Sequence, residues 1–156
     1  MAGRDATECL WLFFRNSPKA EALRAMLVAG IESVFESGEV TPDTLNALVQ
    51  TRRDAGVTDK ALCVIVQDAG EDRTRVAEVT LQHVFVRVYD RGRGYRNLRV
   101  VRDELKRVLA EFSNNLVGML SLEYIGRTGH RWDRYYAIEY EALEYSARVA
   151  VEEVSM

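Results

Sequence analysis

The segment that decides the fold covers residues 79–112 and reads VTLQHVFVRVYDRGRGYRNLRVVRDELKRVLAEF. Its valine-rich first part indicates a strand, and its glycines then mark a basic turn. The last part has the period of an amphipathic helix, at about 100° per residue. The apolar arc contains Leu98, Val101, Leu105, Val108, Leu109 and Phe112, and the opposite side contains Arg96, Arg99, Arg102, Lys106 and Arg107. We therefore expect a helix that packs one face on a sheet and turns the other outward.

The composition fits one globular domain that folds without crosslinks. The chain has 156 residues, 47% of them hydrophobic, which is enough for a real core. The net charge of −3 argues against a protein that coats nucleic acid, and the two cysteines, Cys9 and Cys63, are too few for a disulfide scaffold. We expect a reducing compartment, and neither a signal core nor a membrane span is predicted.

An aromatic run lies near the start of the chain. It consists of Leu10, Trp11, Leu12, Phe13 and Phe14. Such side chains are costly to leave in water, so the run must be covered. One hypothesis docks it on the domain's own core as an edge strand, and the other adds it to a neighbouring subunit. We define residues 1–16 as an N-terminal aromatic arm, with Trp11 and Phe13 as candidate interface residues.

Two helices are predicted before the first strand. Ser17 and Pro18 have the pattern of an N-cap followed by proline at the first helical position, and the apolar period continues to about Ser37. A shorter and more polar helix begins at Thr41 and ends near Gly56. We therefore expect one long helix and one short, peripheral helix ahead of the sheet.

Four strands are predicted from the changes of hydrophobic period. They cover residues 62–66, 79–89, 119–125 and 135–145. Residues 67–77 indicate a hairpin connection or extended β-arm, so the first two strands should pair antiparallel. Residues 126–133 indicate a polar loop. In the last segment Ala142 and Leu143 break the alternation, which favours a strand with a bulge over a strand that enters a terminal helix.

The element order predicts an α+β fold with two layers. An antiparallel four-stranded sheet carries the basic helix on one face, and the N-terminal helices are added to it. Residues 17–150 form this single domain, and residues 151–156 form a C-terminal tail. The pattern shows no fixed-period repeat and no interdomain linker.

This layout resembles the tail terminator proteins of long-tailed, siphophage-type bacteriophages. The resemblance rests on residues 62–66, on residues 81–90 with the following Arg-Gly-Arg-Gly turn, and on residues 99–109, and it spans residues 18–148. It implies a structural protein of the virion tail and neck, made in the host cytoplasm. Proteins of this family form a homo-oligomeric ring, usually of six subunits, that caps the tail tube, ends its polymerisation and joins it to the head connector.

The resemblance also implies the partners. They are further copies of the chain, the tail tube protein and a head-closure or connector protein, and DNA would pass through the ring without sequence-specific binding. Three alternatives stay open. The chain could be another head–tail connector component such as a head-closure (stopper) protein, a small nucleic-acid-binding α+β module, or a small α+β enzyme.

No catalytic, cofactor or metal site is predicted from the residues. Gly92 and Gly94 lie between a strand and a helix, but Asn97 stands where a dinucleotide fingerprint needs its third glycine. His83 and His130 have no metal-ligand spacing with the cysteines, and no nucleophile or oxyanion motif accompanies them. We therefore expect no enzyme activity, no cofactor and no membrane association.

The remaining candidate interface residues come from charge and from apolar side chains outside the predicted core. Residues 91–107 contain seven basic and two acidic groups, whereas residues 137–156 contain five acidic and one basic group. Opposite patches can specify head-to-tail pairing in a ring, although both could simply be solvated. We expect Arg99 and Arg102 to face away from the core, and Trp132 to anchor a contact from a charged loop. The candidates are Arg91, Arg93, Arg96, Arg99, Val100, Arg102 and Trp132, besides Trp11 and Phe13.

Overall fold

The computed structural model describes residues 5–73, 79–91, 96–110 and 119–150, which form an α+β protein with a five-stranded mixed sheet. The helices are α1 (Ala6–Asn16), α2 (Glu21–Ala25), α3 (Pro42–Ala55) and α4 (Arg96–Ala110). The strands are β1 (Val34–Glu36), β2 (Cys63–Arg73), β3 (Val79–Asp90), β4 (Met119–Asp133) and β5 (Ile138–Ala150).

The strands lie in the order β1-β2-β3-β5-β4, so β1 and β4 are the two edges of the sheet. β1 pairs with β2 in parallel, and the other neighbours pair antiparallel. The expected two-layer α+β class and the β2–β3 hairpin are confirmed. The expected four-stranded antiparallel sheet is wrong, because the short parallel strand β1 adds a fifth member.

The larger core lies between the sheet and helices α1 and α4, on what we name the helical face. Alternate residues of each strand point to this face, among them Val64 and Val66 of β2. The predicted apolar arc of α4 is confirmed over the described residues, since Leu98, Val101, Leu105, Val108 and Leu109 are all buried. Phe112 lies outside the described residues. α4 is thus fixed over β3 and β5.

A second core lies on the opposite face of the sheet, which we name the α3 face. The apolar side of α3 covers the neighbouring ends of β2, β3 and β5, where Cys63, Tyr89 and Ile138 are buried. The predicted boundaries of this helix are confirmed. The Thr41 hydroxyl accepts from Thr44 N, and Gly56 adopts the left-handed conformation, with φ 67°, that ends the helix.

The aromatic run forms helix α1, so the edge-strand prediction is wrong. The Asp5 side chain accepts from Glu8 N at 2.8 Å, and Ala6 N donates to the Gln82 side chain of β3 at 2.6 Å. Burial follows the helical period, with Ala6, Cys9, Leu10, Phe13 and Phe14 facing the core. The run is apolar throughout and therefore resembles a buried strand, but only one side of it is fully covered.

The predicted long helix over residues 18–37 is also wrong. The chain forms a 3₁₀ turn, the short helix α2, a second 3₁₀ turn and then β1. The backbone leaves the helix after Met26, because Met26 O accepts from Ala61 N and Val28 N donates to Ala61 O, each at 3.0 Å. Pairing with the chain just before β2 therefore competes with the helix, and it leads residues 34–36 into the sheet.

Residues 126–133 belong to β4, so the predicted polar loop is wrong. The pairing of β4 with β5 has three register shifts, and at each of them β4 has more residues than β5. Gly129 lies in one of these bulges, with φ 74°. The predicted last strand is confirmed, although it begins at Ile138, but its pairing with β3 has no bulge. The apolar pattern of β5 changes phase along the strand because the apolar side chains face different cores. Ile138 packs on the α3 face, and Leu143 packs on the helical face.

Both cysteines are buried thiols outside any disulfide, which leads to a labelling prediction. Burial raises the pKa of the Cys63 thiol, and the nearby Asp90 charge raises it further. Because the thiolate is the reactive form, we expect iodoacetamide to leave native Cys63 unmodified and to alkylate both cysteines in urea. Mass spectrometry of the alkylated protein measures this. Fast labelling of Cys63 under native conditions would mean that α3 does not stay packed over β2.

Candidate interaction surface at the β4 edge

The outer edge of β4 carries most of the large apolar side chains that the described part of the protein exposes. Ile125 is 51% exposed, Trp132 is 59% exposed, and Tyr135 in the β4–β5 turn is 67% exposed. β4 pairs only with β5, so its other edge has no partner among the described residues. Exposed aromatic side chains on an unpaired sheet edge are typical of a protein–protein contact.

The β4–β5 turn holds the exposed side chains in fixed positions. The Asp133 carboxylate accepts from Tyr135 N at 2.9 Å and from Tyr136 N at 3.1 Å. The Tyr136 hydroxyl donates to Val40 O at 3.1 Å, which ties the turn to the chain before α3. Ala137 adopts φ 53°, a conformation rare for a residue with a side chain, and its carbonyl accepts from Arg91 at 3.3 Å. These bonds fix the backbone conformation of the turn.

Three arginines lie along the same edge, in β4 and in the turn after it. Arg127, Arg131 and Arg134 are exposed. Arg127 reaches only to 3.8 Å from the Glu141 carboxylate, and within the described residues Arg131 and Arg134 have no ion-pair partner. We name Ile125, Arg127, Arg131, Trp132, Arg134 and Tyr135 the basic edge. Of its members only Trp132 was predicted as an interface residue.

The predicted basic side of α4 is divided between solvent and the sheet. Arg96 and Arg99 are exposed. Val100, the residue after Arg99, is 48% exposed. Arg102 instead turns inward. It donates to Glu141 of β5 at 3.1 Å and to Asp103 at 3.0 Å, and its side chain is only 14% exposed. The expectation that Arg102 faces outward is therefore wrong, and Glu141 is part of an internal ion pair.

The base of the basic turn is tied to α3 through the buried Asp90. Its carboxylate forms an ion pair with Arg52 and accepts from Asn97 at 3.0 Å and from Arg91 N at 2.8 Å. Burial raises the pKa of Asp90, and the Arg52 charge opposes that rise. Arg91 is half-buried, and its guanidinium donates to Ala137 O within the protomer. Arg93 lies outside the described residues.

The two candidate interface residues in α1, Trp11 and Phe13, make contacts within the protomer. Phe13 is buried, with its ring edge-on to Phe14 at 5.8 Å, so it offers no surface to a partner. The Trp11 indole donates to Val34 O of β1 at 3.2 Å, and the Arg15 guanidinium lies 4.8 Å from the centre of its ring. Trp11 is half-buried, and its remaining exposed surface lies at the β1 edge.

A hydroxyl, an imidazole and a carboxylate lie in line on the α3 face, which sequence reasoning did not detect. His83 Nδ1 is 2.9 Å from Ser146 Oγ, and His83 Nε2 is 2.8 Å from Asp72 Oδ2. The order matches a catalytic triad, but Ser146 is only 5% exposed, and it lies in a strand paired on both sides. We interpret the trio as a link between β2, β3 and β5.

Among the described residues, no group of three or more His, Cys, Asp or Glu side chains is placed to hold a metal ion. No helix in the described ranges has the length and apolar character needed to cross a bilayer. No protein-family model matches this chain, and a comparison with curated proteins finds no match.

Proposed function

We propose that this protein is a structural component of a phage virion that forms a homo-oligomeric ring, most simply of six copies, at the junction of tail and head. The ring would cap the tail tube, end its polymerisation and join it to the head connector. The observation that carries the proposal is the basic edge, where Ile125, Trp132 and Tyr135 are exposed and where Arg131 and Arg134 have no ion-pair partner among the described residues. A protein that acts by fitting to copies of itself needs such a surface.

The segments that carry the family resemblance support the proposal. Residues 62–66 begin β2, residues 81–90 form most of β3, and residues 99–109 lie in α4, in the order that the resemblance requires. The outward arginines of α4, Arg96 and Arg99, would then lie on the ring surface. α1 and α3 are elements added to this arrangement.

The binding partner separates the proposed function from its alternatives. Binding to the end of a tail tube supports a terminator, whereas binding only to the head connector supports a head-closure protein. Binding to duplex DNA that weakens steeply with salt supports a nucleic-acid-binding module that uses Arg96 and Arg99. In the first two cases the protein would work in the virion after synthesis in the host cytoplasm.

The Trp132→Ala substitution tests the proposal. We expect the oligomer mass, measured by light scattering, to shift toward the monomer, because an aromatic anchor at an interface centre can contribute at least about 2 kcal/mol to binding. The melting temperature of the dissociated subunit should hardly change, since the side chain is 59% exposed. Negative-stain images of the wild type should show rings.

Val100→Ala is the matched control, because Val100 is similarly exposed but lies on α4. We expect this variant to keep the wild-type mass. A wild-type protein that stays monomeric up to its solubility limit, both alone and with tail tubes, would contradict the proposed ring. Dissociation by Val100→Ala and not by Trp132→Ala would move the interface from β4 to α4.

A further inference from the structure

Acidic side chains collect at the edge of the sheet opposite the basic edge. We name this group the acidic edge, and it consists of Asp5, Glu8, Ile31, Glu32, Glu36 and Glu39. Glu36 ends β1, and Glu39 lies in the turn that follows it. Glu32 and Ile31 lie in the 3₁₀ turn directly before β1, and both are exposed. The acidic edge therefore combines carboxylates with an exposed aliphatic side chain.

Around Glu36, the carboxylates of Asp5, Glu8 and Glu39 lie close enough to repel its charge. Partial burial raises the pKa of Glu36, and the charges of Glu39, Asp5 and Glu8 raise it further. The helix cap and the turn hold the group together, because Asp5 accepts from Glu8 N and Glu39 accepts from Glu36 N, each at 2.8 Å. Cations brought against this edge would relieve the repulsion.

The two edges cannot pair with themselves favourably. A two-fold dimer through β4 would bring two basic edges together, and a dimer through β1 would bring two groups of carboxylates together. Contact between unlike edges brings opposite charges together. Such a contact is heterologous, so its repetition builds a closed ring or an open filament.

We propose that the basic edge of each subunit docks on the acidic edge of a second copy of this chain, head to tail around the ring. This inference rests on the proposed function and deepens it, because it names the two surfaces that meet. Trp132 covers Ile31 of the neighbour, the aliphatic side chain that is 44% exposed there. Arg131 and Arg134, which lack partners among the described residues, face the neighbour's carboxylates.

The contact is made by side chains more than by a continuous strand-to-strand ladder. Register shifts interrupt β4 between Met119 and Ser121, between Tyr124 and Gly126, and between Arg127 and His130. β1 is only three residues long. Bulges of this kind prevent extended pairing at an edge, which directs recognition to the side chains.

Charge reversal at each edge tests the proposal. We expect Arg131→Glu with Arg134→Glu, and separately Glu32→Arg with Glu39→Arg, to weaken self-association at least about tenfold, because each variant opposes like charges at every contact. Light scattering measures the loss. An equimolar mixture of the two variants should recover oligomers, since each reversed edge then meets an edge of opposite charge. Such oligomers alternate the variants, which suits a ring with an even number of subunits.

Reversal of Arg96 and Arg99 on α4 to glutamate is the matched control, and it should leave the oligomer mass unchanged. If a reversed variant folds poorly, Arg131→Gln with Arg134→Gln replaces it, with a smaller expected loss. The edge pairing is overturned if oligomers survive both edge reversals, or if the two variants do not associate when mixed. Neither result would contradict the ring itself. A wild type without oligomers under any condition overturns the ring itself.

Discussion

Replacing Phe14 with alanine should lower the free energy of unfolding by about 3–5 kcal/mol, the usual cost of removing a buried phenylalanine ring. Phe14 is fully buried in the core that α1 forms with the sheet. Typical domains have about 5–15 kcal/mol of stability, so the loss would be a large part of the total. Urea unfolding followed by circular dichroism measures it.

Leu12→Ala is the control for this prediction, because Leu12 lies on the same helix and is only half-buried. We expect it to cost less than half as much as Phe14→Ala. α1 is held at both ends, since its first N–H groups are bonded to Asp5 and Gln82 and the Arg24 guanidinium donates to Phe14 O at 2.7 Å. Equal, small effects of both substitutions would mean that residues 6–16 dock loosely, as a separable arm.

The elements that the sequence predicted correctly are those with strong local signals. β3 has alternating valines at 84, 86 and 88, and α4 has a clean division between apolar and charged sides. α3 has a threonine cap, a proline at its first position and a glycine after its end. In each case the neighbours in sequence decide the structure, so the pattern was sufficient.

The elements that were predicted wrongly depend on distant partners. β1 exists because residues 34–36 pair with β2, some 30 residues later in the chain, and three residues have no period of their own. α1 was not predicted because residues 10–14 are all apolar, so the sequence shows no helical period there. In β4, the glycines at 126 and 129 suggest a loop, yet bulges absorb them within a strand.

The candidate surface was predicted only in part, for the same reason. Trp132 was identified because a tryptophan among charged residues suggests an anchor. The position of Arg131 and Arg134 at a sheet edge depends on strand order, which the sequence does not reveal. The acidic edge joins residues of α1 to residues around β1, so it exists only in the folded protein.

The burial of Arg102 against Glu141 leads to the second large effect. Arg102→Met should destabilise the subunit by about 3–5 kcal/mol, because it leaves the Glu141 charge in a buried position without its partner. Glu141 is 5% exposed on its side chain, and its second oxygen has no hydrogen-bond partner in the part of the chain that the structure describes. Arg99→Met, on the exposed side of the same helix, should change stability by less than about 0.5 kcal/mol.

A double-mutant cycle separates the ion pair from the packing of the arginine side chain. Combining Arg102→Met with Glu141→Leu removes both charges, and we expect the double variant to recover most of the stability lost by Arg102→Met alone. Arg127 is the nearest other cation, at 3.8 Å from the same carboxylate, but its side chain is 54% exposed and too well hydrated to replace Arg102. Additive effects in this cycle would show that α4 is held by its apolar face alone, and that Arg102 is free to turn outward to a neighbouring subunit.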